Sequence, residues 1–222
     1  MHDCWSRSCS DGLDQNNAMN RIHMIPGSNI SSRIDDLETG RPVAEVLVEG
    51  ELSPFEHEAL YQLLKKHFRL EQPSYSDLLD EIIGTRVNIV FHHPYDRKFF
   101  TDILRDDWRG LKELFKQIRY RRGRLGAAFN LTFIDQKVRL VFSLGLLGEE
   151  ELGSAMNQIA HLTGIVAQMM RPETMVEALE RVETSYDGKT DRWQNFRGVG
   201  LTDKKEYVFH ESLFRWKTSS DM

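Results

Sequence analysis

Apolar and polar residues alternate along AEVLVEGEL, residues 44–52, where Val46 and Val48 interleave with Glu45, Leu47 and Glu49. That period predicts a strand. The period then changes. Ser53 can cap a helix, Pro54 suits its first position, and Glu56 completes a capping box. Phe55, Ala59, Leu60, Leu63, Leu64 and Phe68 come next on one helical face. A short helix is expected after it, capped by Ser76, carrying Leu78, Leu79, Ile82 and Ile83, and stopped by Gly84. The nearly continuous apolar run in RVNIVFHHP predicts a second strand buried on both faces. Pro94 ends it, and Asp96 is suited to cap the next helix.

Leu104, Trp108, Leu111, Phe115 and Ile118 form a helical stripe inside a helix expected over 97–122, with Gly110 as the place for a break. AAFNLTFI and VRLVFSL read as an antiparallel hairpin. Further helices are expected over 149–170 and from Pro172, the latter carrying Met175, Val176, Leu179 and Val182. The pattern predicts an α+β fold, a mixed β-sheet covered by helices in the order β-α-α-β-α-β-β-α-α. Three segments emerge: a polar leader over 1–40, a core domain over 41–185, and a β-rich C-terminal arm over 186–222.

Composition narrows the function classes. The 222 residues carry a net charge of -5, which argues against general coating of duplex nucleic acid. The two cysteines, Cys4 and Cys9, both fall in the leader, so no disulfide framework is expected, and a reducing, cytoplasmic setting is the natural reading. No apolar run approaches the about 20 residues that span a bilayer. Phosphate-loop, dinucleotide-binding, nucleophile-elbow and CxxC signatures are absent. His2, Cys4 and Cys9 could take a soft metal ion, but without a second paired motif they read as part of a polar tail.

Four stretches could carry chemistry. KQIRYRRGRLG concentrates Lys116, Arg119, Arg121, Arg122 and Arg124 around Tyr120 without an acid. Gly123 there suits a helix C-cap, and cations suit the negative end of a helix dipole. Five cations exceed that need, and the surplus points to a polyanion or an acidic partner. His92, His93 and Asp96, at the end of the second strand, could ligate a metal or act as acid and base. Gly153, Asn157, Ala160, Gly164 and Ala167 form a small-residue stripe on helix 149–170, suited either to close internal packing or to a homodimer contact. Trp193, Phe196 and Trp216 alternate with Arg192, Arg197, Arg215 and Lys217 in the tail, a pattern for stacking on bases or for docking. The leading expectation is a non-enzymatic intracellular interaction or regulatory protein that contacts nucleic acid or an acidic protein surface through the basic helix end. The competing one is a small metal-dependent hydrolase centred on His92, His93 and Asp96.

Overall fold

The computed structural model describes residues 40–71, 84–135 and 138–221. Nearly all of the leader, including His2, Cys4 and Cys9, and the helix expected after Ser76 lie outside the described residues. The described chain forms one mixed nine-stranded sheet in the order β2-β1-β3-β4-β5-β6-β7-β8-β9, and the α+β class holds.

Three crossovers build the sheet. Strand β1 (Val43–Glu49) passes through helix α1 (Pro54–Lys65) to its parallel neighbour β2 (Arg69–Glu71). Strand β3 (Thr85–Phe91) passes through a π-helical turn (Phe99–Ile103) and helix α2 (Arg105–Arg122) to its parallel neighbour β4 (Ala127–Ile134). The expected hairpin joins β4 to β5 (Arg139–Ser143). From β5 the chain runs through helices α3 (Glu149–His161) and α4 (Thr163–Met169) to parallel β6 (Leu179–Asp187). Strands β7 (Arg192–Gly200), β8 (Glu206–His210) and β9 (Arg215–Thr218) finish the sheet as an antiparallel meander.

The helices share one face of the sheet. Phe115 of α2 stacks on Phe129 of β4 with ring centroids 4.1 Å apart. Three indoles tie strands and helices together: Trp108 donates to the Met156 carbonyl at 3.2 Å, Trp193 to Ala155 at 3.2 Å, and Trp216 to Met169 at 2.9 Å. Each ring thereby buries its apolar body while its N–H stays satisfied.

Several local expectations change. Strand β3 buries Val87, Ile89 and Phe91 towards the helices, while Arg86, Asn88 and Val90 are only partly covered, because no described helix lies on the other face. The break in the third helix falls at Leu104–Arg105, where Arg105 has φ 41°, and not at Gly110. Gly110 instead lets α1 approach: a Cβ there would stand 3.0 Å from Leu63 Cδ2. Helix 149–170 divides at Leu162 into α3 and α4. No helix starts at Pro172. Thr174 Oγ1 bonds back to the Met169 carbonyl at 2.7 Å, and Leu179 and Val182 belong to β6. The C-terminal segment is β-rich as expected, and its strands β7, β8 and β9 continue the same sheet.

Candidate functional site

The basic stretch lies where α2 ends. Gly123 closes the helix with φ 51°, as its position predicted, and its N–H donates to the Tyr120 carbonyl at 3.2 Å. Beside it stands the start of α1, because the two helices are antiparallel neighbours. The Ser53–Glu56 capping box forms: Glu56 N–H donates to Ser53 Oγ at 3.2 Å, and Ser53 N–H donates to Glu56 Oε2 at 2.8 Å.

The structure separates the arginines by role. Glu56 is only 1% exposed, and Arg122 donates to its Oε2 at 2.8 Å. Arg121 lies 3.6 Å from Glu56 Oε1 and reaches Ser53 Oγ at 3.4 Å. A single buried carboxylate therefore offsets much of the repulsion within the cluster. Arg119 folds back, donating to the Leu147 carbonyl at 2.6 Å and to the Gly123 carbonyl at 2.7 Å, and so fastens the helix end to the loop before α3. Lys116 pairs with Glu113 at 3.5 Å and lays its aliphatic stem against Gly153. Arg124 is exposed and makes no hydrogen bond or ion pair among the described residues.

Around the outward cations the structure sets Tyr120, which the sequence pattern marks, beside apolar residues that it does not mark as a site. Phe55, Tyr120, Leu125 and Leu146 are 61% to 72% exposed. The apolar period places Phe55 on the buried face of α1. It points outward instead, and the Arg121 guanidinium lies 6.0 Å from its ring centroid. Leu146 reaches the backbone of Gly126, where a Cβ would stand 3.0 Å from its Cδ2. Two cations thus stand among four exposed apolar side chains. No family model, curated protein or solved structure matches the chain.

The other expected sites resolve differently. His92 Nε2 lies 2.6 Å from Glu45 Oε1, His93 Nδ1 lies 2.8 Å from the Pro94 carbonyl, and Asp96 accepts the Phe99 N–H at 2.9 Å as a cap. Among the described residues no three His, Cys, Asp or Glu side chains come together to hold a metal. The residue of this stretch that reaches inward is Tyr95. Its hydroxyl donates to the Ile159 carbonyl, and burial pushes its pKa well above the ordinary value, so it keeps its proton.

Trp193, Phe196 and Trp216 are buried in the core, 1% to 7% exposed, so stacking on bases is not open to them. Their alternation with arginine and lysine is the ordinary two-residue period of strands whose other face is free. The small-residue stripe is partly used within the chain. Gly153 meets Lys116, and Asn157 accepts a bond from Lys112 at 2.9 Å, while Gly164 and Ala167 remain at least partly exposed.

Proposed function

We propose that this protein binds an acidic, partly apolar protein segment at the C-terminal end of α2. The observation that carries the reading is what stays exposed at this helix end: Arg124, unpaired among the described residues, and the half-exposed Arg121, whose acidic partner among them is Glu56 at 3.6 Å, beside Phe55, Tyr120, Leu125 and Leu146. Exposed aromatic rings beside arginine are the composition of interface anchors. Nucleic acid fits less well. Tight retention of a polyanion needs many free cations, and here Arg119 and Arg122 are committed to the protein itself. The carboxylates of a partner would pair with Arg121 and Arg124, while its apolar side chains would cover Tyr120 and Leu125. The patch is small, which suits a transient contact.

Fluorescence anisotropy with a labelled peptide alternating Glu with Leu and Phe tests this, with a single-stranded RNA of equal length as the comparison. The peptide is expected to bind, and a Tyr120→Ala/Arg124→Ala double variant to weaken it about tenfold or more, a loss of about 1.4 kcal/mol. RNA binding tighter than the peptide, falling steeply with salt, would move the reading to nucleic acid. Equal peptide binding by the double variant would remove the patch.

A further inference from the structure

The face of the sheet turned away from the helices carries a second, independent feature. A cavity of about 410 Å³ opens there across β4, β5, β6 and β7. Its chemistry comes from register, since paired residues on neighbouring strands point to the same face. Asn88, Asn130, Ser143 and Ser185 are successive partners across β3 to β6. They form a row of amides and hydroxyls at one level of the sheet. Next to it lie Val141, Glu183 and Arg197, again successive partners.

A bulge completes the row. Asn195 and Phe196 of β7 stand opposite the single Thr184 of β6, and Thr184 Oγ1 donates to the Gln194 carbonyl at 2.9 Å. Asn195 takes φ 58°, a conformation that asparagine tolerates better than most residues. Such a bulge re-aims a side chain. Here Phe196 goes into the core, while the Asn195 amide lines the cavity and reaches Ser185 Oγ at 3.4 Å.

The charges do not cancel. Arg181 pairs with Glu183. The Arg197 side chain makes no hydrogen bond or ion pair among the described residues. Two guanidinium groups thus line the cavity against one carboxylate, and no Phe, Tyr or Trp lines it. Stacking of a flat aromatic ligand therefore has no support.

We propose that this cavity binds a small hydroxylated anion, with its acid group on Arg197 and its hydroxyls along Asn130, Ser143, Ser185 and Asn195. A guanidinium can hold a carboxylate or a phosphate through two parallel bonds, and the amide and hydroxyl row both donates and accepts. Hydroxycarboxylates and sugar phosphates share this chemistry. Calorimetric titration with gluconate, glucose 6-phosphate, inorganic phosphate and glucose separates the two sources.

One of the two hydroxylated anions is expected to bind at least about tenfold more tightly than glucose and than inorganic phosphate, since both the charge and the hydroxyls contribute. Arg197→Met should lower that affinity by about tenfold. Asn195→Gly keeps the positive φ and removes the amide, so it should weaken binding while preserving the fold. Binding of neither hydroxylated anion, binding of inorganic phosphate as tight as theirs, or unchanged affinity in Arg197→Met would overturn the proposal. The Tyr120→Ala/Arg124→Ala variant should bind the anion normally, and Arg197→Met should bind the acidic peptide normally, so the two sites fail independently.

Discussion

Strand β4 carries Phe129, Leu131 and Phe133 on the side of the helices and Ala128, Asn130 and Thr132 on the other. The same division runs through the sheet. On the covered side Phe91, Phe99, Phe133, Phe142 and Trp193 contact one another in edge or tilted geometry. On the open side stand Arg86, Asn88, Arg139, Arg181, Glu183 and Arg197. A shift of one residue along a strand exchanges the two environments. Stability is concentrated on one side, which leaves the other free to vary its chemistry.

The sharpest test of that division compares two neighbouring strands by urea denaturation. Phe129→Ala removes a ring with no exposure from the covered side and should cost about 3–5 kcal/mol. Arg139→Ala, exposed on the open side, should stay within about 0.5 kcal/mol. Similar losses for the two would break the comparison.

A second test asks whether charge buried in the helix layer counts where charge on the open face does not. Glu56→Ala strips the partner from Arg122 and the cap from α1, and should cost about 3 kcal/mol. Glu56→Gln keeps an acceptor for the cap and should recover part of this. Glu56→Ala as mild as Arg139→Ala would show that the helix seam does not depend on this ion pair.

The smallest effect concerns pH. A hydrogen bond from His67 at 2.7 Å, aided by Lys66 at 3.0 Å, holds the Asp107 carboxyl below its usual pKa. Its folded-state value is depressed, so its contribution is present above the ordinary carboxylate pKa of about 4 and is lost as pH falls through the lowered folded value. Asp107→Asn should cost about 1 kcal/mol or less at neutral pH, because the pair is partly solvated, and should flatten the acid limb of the stability curve. An unchanged acid limb would assign the acid sensitivity elsewhere.

Sequence pattern revealed what is local. The Ser53–Glu56 box, the α2 stripe, the Gly123 stop and the β4–β5 hairpin each rest on residues within a few positions of one another. Contacts between distant segments were not legible. The carboxylate that answers the arginine cluster lies 66 positions from Arg122. Val176, Leu179 and Val182 have helical spacing, yet pairing with β5 and β7 makes a strand of the last two. The β-rich character of the aromatic tail was legible, but nothing local to it reveals the other strands of its sheet. For the open-face cavity, the signal lay in lining up Asn88, Asn130, Ser143 and Ser185 across strands, which requires knowing the strand order.

That strand order also sets the handedness of each crossover. Strands β3 and β4 run one way, β5 and β6 the other. Both connections step in the same direction across the sheet, and both lay their helices on the same side. Opposite strand direction with equal step and equal side means opposite winding, although right-handed crossovers are the strong rule. The unit containing α1 differs from that containing α2 in both direction and step, so these two wind alike. A half-turn about an axis normal to the sheet relates the paths of these two units. No rotation carries either path onto the β5–β6 unit, so one sheet holds crossovers of both hands.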